Sequence, residues 1–147
     1  MKVSTRGRYA LRLMVDLGIN SDENTYVSLK DISARQQISV KYLEQIVTPL
    51  HRAGLVRSIR GAQGGYRLSR KPENYTAGEI LRAIEGSFAP IACLENETNE
   101  CEQYAKCPTV GFWEGMYKAI SDYVDSVSLA DMIAEHEDSE GEICNDR

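Results

Sequence analysis

Long apolar runs are missing from this sequence of 147 residues, and no stretch approaches the roughly 20 apolar residues that a bilayer-spanning helix needs. The start, Met1-Lys2-Val3-Ser4-Thr5-Arg6-Gly7-Arg8, leads into an amphipathic pattern rather than the unbroken apolar core of a secretion signal, so a cytoplasmic chain is expected. Also missing are a Cys-x-x-Cys pair, a nucleophile–base pair and a cofactor loop, which leaves a cysteine-based redox enzyme as a distant alternative only. The run Gly61-Ala62-Gln63-Gly64-Gly65 lacks the Gly-Lys-Ser/Thr ending of a nucleotide-binding loop and reads as a tight turn. Cysteine is scarce, with four in all, yet three of them, Cys93, Cys101 and Cys107, lie within fifteen residues of one another. In a reducing compartment such clustering points to metal or redox chemistry before disulfides. Their spacings of eight and six exceed the two-to-four gap of zinc knuckles, which weakens structural zinc and leaves an iron-sulfur cluster or free thiols.

Net charge is −5, but its distribution matters more than its sum. Residues 1–82 hold 14 of the 17 Lys and Arg against 7 of the 22 acids, a balance of +7; residues 83–147 hold the remaining 3 and 15, a balance of −12. A basic first half suits phosphates, and the second half must do something else.

Periodicity and caps organise the first half. An apolar stripe at Tyr9, Ala10, Leu13, Met14 and Leu17 predicts a helix from Thr5 to about Gly18, capped by Ser4 or Thr5. Ser28, with Asp31 three residues on, opens a short second helix, and Gln36-Gln37-Ile38 forms a turn. Ser39 caps a third, with Val40, Leu43, Ile46, Val47 and Leu50 buried and Gly54 as its stop; Pro49 predicts a kink or restart near Thr48. Two helices joined by a short turn match a helix-turn-helix, whose outer face would offer Ser39, Lys41, Tyr42 and Gln45 to bases or phosphates. Glu44 on that face would accept a hydrogen bond from cytosine. Residues 56–60 and 66–68 then read as two strands around the glycine-rich turn, a wing with Arg60 at its tip for a narrow minor groove, and with Gly61 and Gly64 permitting close approach to phosphate.

In the second half Thr76 and Glu79 open a helix that Gly86 ends. Residues 87–107 form a polar, cysteine-bearing loop of the kind that is functional when it is this long. From about Pro108, Phe112, Trp113, Met116, Tyr117, Ile120, Tyr123, Val124 and Val127 make an apolar stripe too wide for the little chain that remains, which predicts packing against a second copy. A short helix capped by Ser128 ends near residue 134, and residues 135–147 are expected to be a disordered acidic tail.

The motifs Met1-Lys-Val-Ser-Thr-Arg-Gly7-Arg8-Tyr9-Ala10, Tyr42-Leu43-Glu44-Gln45, Ala53-Gly54-Leu55-Val56 and Ser58-Ile59-Arg60-Gly61-Ala62-Gln63-Gly64-Gly65-Tyr66 together resemble the Rrf2 family of winged-helix transcription regulators, over residues 1–134. The resemblance implies a mainly α fold with a small β-hairpin wing and no enzymatic activity. Residues 1–86 would be the DNA-binding domain with its linker helix, 87–107 the cluster-binding loop and 108–134 the dimerisation region. It implies a homodimer on a palindromic operator, with Arg8 among the DNA-binding residues, and an iron-sulfur cluster, 2Fe-2S ahead of 4Fe-4S, on Cys93, Cys101 and Cys107. Family members that sense iron-sulfur status carry a histidine where this chain has Val110, and Arg8 stands where the nitric-oxide sensors have a carboxylate. The fourth ligand is therefore open among a partner-subunit carboxylate, a nearby Glu, Cys144, His136 and solvent. Control would fall on iron-sulfur assembly or cysteine-supply genes. The family also implies an alternative, a cluster-free regulator of cysteine metabolism that works through a protein partner.

Overall fold

Five helix starts in this chain use the same device, a Ser or Thr side chain that accepts the backbone N–H three residues on. Ser4 accepts from Gly7, Ser28 from Asp31, Ser39 from Tyr42, Thr76 from Glu79 and Ser128 from Asp131. Each satisfies an N–H that has no partner inside its helix, for about 1 kcal/mol per cap. In the computed structural model, which describes residues 2–96 and 101–145 and side chains as far as Glu140, these caps open α1 (Thr5–Asn20), α2 (Leu29–Gln36), α3 (Val40–Arg52), α4 (Ala77–Glu85) and α6 (Leu129–Asn145). Only α5 (Val110–Ser126) begins without a side-chain cap. Strands β1 (Val56–Ile59) and β2 (Gly65–Leu68) pair antiparallel, Val56 opposite Leu68 and Ile59 opposite Gly65. The result is mostly helical with one two-stranded hairpin.

Stripes of α1, α2 and α3 meet in one core, where Leu13, Met14, Leu17, Ile32, Leu43 and Leu50 are fully buried. Gln37, at φ 55°, makes the tight exit from α2 into α3. Pro49 does not end α3, which runs on to Arg52: Pro49 forfeits one N–H, but Ala53 N–H still reaches its carbonyl at 3.0 Å. Burial of Leu43, Ile46, Val47 and Leu50 offsets the loss. Asp16 is buried too, and is paired rather than stranded: Arg35 donates to both of its oxygens at 2.9 and 2.8 Å, and Gln36 adds a third bond at 3.0 Å, locking α2 onto α1.

Tyr75 joins the halves. Its fully buried hydroxyl donates to the Leu55 carbonyl at 2.6 Å and accepts from the Ser69 and Arg70 N–H groups at 2.9 and 3.0 Å, while its own carbonyl accepts from Leu129 N–H at 3.0 Å. Helix α6 then lies on α1, close enough that a Cβ on Gly18 would stand 2.4 Å from Ile133. The final helix does not stop near residue 134 but continues to Asn145, since nothing between 134 and 140 breaks it and His136 pairs with Glu140 one turn on at 3.3 Å. At the other end of α4, Glu85 accepts from the N–H of Ser4 at 2.9 Å and from its hydroxyl, placing a carboxylate at the N-terminus of α1. Arg82 forks onto Asp125 at 2.6 and 2.9 Å, tying α4 to α5 and holding the Asp125 carboxyl below its ordinary range.

Tyr75→Phe should keep the fold and lose on the order of 2–3 kcal/mol, because two N–H groups and a carbonyl lose a buried partner. Urea denaturation should show a lower midpoint at unchanged slope; a midpoint within error of the parent would remove the hydroxyl from its structural role.

Candidate DNA-facing surface and thiol segment

Helix α3 turns Lys41, Glu44, Gln45, Thr48, His51 and Arg52 to solvent, with Ser39 at its open end. Tyr42, expected among them, is half-buried and packs edge-to-face on Tyr9 of α1 at 5.6 Å between ring centroids, with the Arg12 guanidinium 5.2 Å from the Tyr9 ring. Arg6, Gln45, Thr48, Pro49 and Arg52 line a shallow depression of about 490 Å³ on this side; Arg8 is exposed on α1 but is not part of it.

The hairpin is fixed at its root and open at its tip. Tyr66 exchanges both backbone hydrogen bonds with Val27 at 2.8 Å, and a Cβ on Gly65 would fall 2.3 Å from the Val27 carbonyl oxygen. Arg60 and Gly61 are exposed at the turn, where Gly61 adopts φ 118°, a region that side chains avoid. Gly64 is required by space, for its Cβ would lie 2.5 Å from the Ile59 carbonyl oxygen. Between hairpin and α3 runs a cleft of about 300 Å³ lined by Thr48, His51, Ser58, Ile59, Arg60, Gly65 and Tyr66, bridged at its floor by Ser58 Oγ and His51 Nε2 at 3.4 Å.

The thiol segment leaves α4 through Gly86 at φ 82°. Phe88 is buried, with the Arg82 guanidinium 5.1 Å from its ring, and Cys93 follows in a short 3-10 turn, Ala92–Leu94. All three thiols are half-buried. A hydrogen bond shared with Cys101, in which Cys93 keeps the proton, holds the Cys93 thiol above its ordinary range, and Cys107 is close enough to add to the effect. Cys107 itself stands before α5, where the Thr109 N–H and hydroxyl hold its pKa down; the two side chains are 3.6 Å apart. Two thiols therefore meet, and the third is near and turned to the helix end. Soft, partly open thiols are the donor type that an iron-sulfur group takes, and the residues present fit it in chemistry rather than in assembled geometry. No group of three His, Cys, Asp or Glu stands at metal-holding distance among the described residues. Val110, in the first turn of α5, offers no donor, His136 is engaged with Glu140, and the Cys144 side chain lies outside the described residues.

Residues 3–135 match the model of the Rrf2 family, described as iron-dependent transcriptional regulators. The chain belongs to the Rrf2 family. It is 41% identical over 142 residues to the transcriptional regulator CymR of Bacillus subtilis, covering 97% of this chain and 96% of that one, and 38% identical to IscR of Aliivibrio salmonicida over 137 residues, 93% and 80% of the two chains. Solved structures agree: B. subtilis CymR, titled the global cysteine regulator, superposes with a TM-score of 0.75 at 40% identity over 92% of this chain and 98% of that one. T. potens IscR gives 0.74 at 39% over 95% and 90%. The protein is accordingly an Rrf2 DNA-binding transcription regulator with the winged-helix architecture of its relatives, which carry the names of regulators rather than enzymes. No helix among the described residues is long and apolar enough to cross a membrane.

Nothing local in the sequence of this Rrf2 protein marks Arg6, Thr48 and Arg52 as neighbours, although Arg52 follows the exposed stripe of α3 and Arg6 sits in the first motif. Their juxtaposition is tertiary, since 46 residues separate them and only the crossing of α1 and α3 brings them together.

Because the thiolate is the reacting form, the opposite shifts at Cys93 and Cys107 order their reactivity. In metal-free protein below the ordinary thiol pKa, iodoacetamide should modify Cys107 ahead of Cys93, read by mass spectrometry of a time course. The reverse order would contradict the geometry.

Proposed function

We propose that this chain acts as a homodimer whose operator binding is set by an iron-sulfur cluster on Cys93, Cys101 and Cys107, and that it adjusts iron-sulfur assembly or cysteine-supply genes to cluster supply, redox state or nitric oxide. The observation that carries this reading is the meeting of Cys93 and Cys101, with Cys107 close by, on a segment leading directly out of α4. The likeness to IscR supports it. When bound, the cluster supplies a charge and a set of bonds that oxidants can remove.

The chain's own residues carry that change inward. Gly86 joins the thiol segment to Glu85, and Glu85 holds the cap of α1 at Ser4. Arg6 of α1 flanks the outer face of α3, so a shift of α4 reaches the DNA-facing surface through two contacts. A bias of a few kcal/mol between two such arrangements is enough to switch occupancy of an operator. Helix α5 buries none of its residues in the chain's own core and leaves Phe112 66% and Tyr123 69% exposed, which supports a second copy as its partner. On the DNA side, Ser39, Lys41, Gln45 and Arg8 take phosphates or base edges, Tyr42 orients α3 from its seat on Tyr9, and Glu44 reads cytosine. The wing places Arg60 in the minor groove, with Gly61 and Gly64 against the backbone.

A second reading has its own support, for the likeness to CymR is as strong as that to IscR, and three metal donors are not assembled among the described residues. In it the regulator carries no cluster and answers to a protein of cysteine metabolism or iron-sulfur assembly.

Anaerobic purification should give a brown protein with visible charge-transfer absorbance, lost in Cys101→Ala at retained fold; colourless, iron-free protein from the same protocol selects the partner-driven reading. Lys41→Ala should weaken binding evenly across sequences and lower the salt slope by about 1, while Arg60→Ala and Glu44→Ala should each change sequence preference at about 1–3 kcal/mol. Unchanged preference in both would take the wing and Glu44 out of recognition.

A further inference from the structure

A further cleft among the described residues lies away from both surfaces described so far. About 680 Å³ in volume, it opens between the end of α1, the loop after it and the root of the hairpin, where Arg57, Arg67 and Lys71 face Ser21, Asn24 and Ser69. That size is within the range of small-molecule sites and well beyond a single ion.

Charge at this cleft is arranged at a cost. Arg57 stands directly opposite Arg67 in the β1–β2 register, and like charges at such a position repel. Among the described residues no carboxylate forms an ion pair with Arg57, Arg67 or Lys71. Asp22, on the wall of the cleft, is turned back on its own loop: it accepts from the Asn24 N–H at 2.8 Å and bonds to Thr25, and these contacts hold its pKa down with only a minor contribution from Arg67. Glu23, also on the wall, limits the charge that the cleft would tolerate. Arg70 is spent elsewhere, on Glu79 at 2.5 Å and over the Tyr75 ring.

Arg67 is held ready. Its guanidinium lies 5.5 Å from the Tyr26 ring and donates to the Leu68 carbonyl at 3.1 Å, yet its Nε is buried with no hydrogen-bond partner. A small shift of the guanidinium toward a bound acceptor would give that donor a partner. Strand alternation also separates this cleft from the DNA-facing side, since the next pair, Ser58 and Tyr66, lines the cleft that borders α3.

We propose that this cleft is a binding site for a small polar molecule bearing one phosphate or carboxylate group, with the oxyanion held between Arg57 and Arg67, Lys71 as its third cation, and the neutral part against Ser21, Asn24 and Ser69. Two guanidiniums facing each other in register, neither in an ion pair with a carboxylate among the described residues, match the fork that oxyanions accept.

Isothermal titration of inorganic phosphate and pyrophosphate into the full chain, at ionic strength held constant with chloride, tests the site. One equivalent per chain should bind, and Arg57→Gln, which removes an exposed side chain, should weaken it about tenfold. Lys71→Gln should weaken it as well, and Arg52→Gln on α3 should leave it unchanged. Circular dichroism checks that each variant is folded, and either of the first two suffices. No heat above the chloride control, or equal weakening by Arg52→Gln, overturns the site. Silence toward both anions, combined with lower operator affinity and a shallower salt slope in Arg57→Gln, would assign the cleft to the DNA backbone and overturn it likewise.

Discussion

One buried hydroxyl holds the two halves of this protein together. Tyr75 Oη takes up a carbonyl at the end of the α3–β1 connection and two N–H groups just past β2, and the same residue's carbonyl receives the first N–H of α6. The wing, α4 and α6 therefore share a fixed point, and the hairpin cannot swing on its root without leaving polar groups unpaired in the core. A second buried polar centre, Asp16 with Arg35 and Gln36, does the same for α1 and α2. Between these two centres the outer face of α3 is held in one orientation mainly by apolar packing, with the His51–Ser58 contact beside it, which suits an element proposed to present fixed donors to a duplex.

In the proposed mechanism the route from thiols to DNA is short. Cys93 is eight residues from Glu85, Glu85 touches Ser4, and Arg6 begins the surface beside α3. No long relay of packed side chains is needed, only a displacement of the end of α4 relative to the cap of α1. Glycine at position 7 keeps that junction tight, for a Cβ there would stand 2.3 Å from the Glu85 carboxylate.

Much of this was legible in the sequence because the governing interactions are local. Helix caps act over three residues, so Ser4, Ser28, Ser39, Thr76 and Ser128 could be read as starts, and the glycine-rich turn of the wing showed itself for the same reason. The winged-helix fold followed from the order of these pieces. What was hidden is what tertiary packing decides: the burial of Asp16, whose partner is nineteen residues away, the continuation of α3 through Pro49, and the seating of Tyr42 on Tyr9. The length of α6 was hidden differently. Its acids read as a solvated tail, and nothing in their composition records that α6 is anchored on Tyr75 and Gly18. For the thiols, spacing revealed the cluster of residues but not that Cys93 and Cys101 meet while Cys107 turns to Thr109.

The bare flank of α5 bears on how the molecule behaves on dilution. A seventeen-residue helix with none of its residues buried, held to its own chain chiefly through α4 by the Arg82–Asp125 pair and the packing at Gly78, draws much of its order from whatever surface lies against its other side. With a second copy in that place, as proposed, folding of this arm and association become a single equilibrium governed by mass action. In such a dimer, dilution alone would loosen this helix, with no change at sulfur.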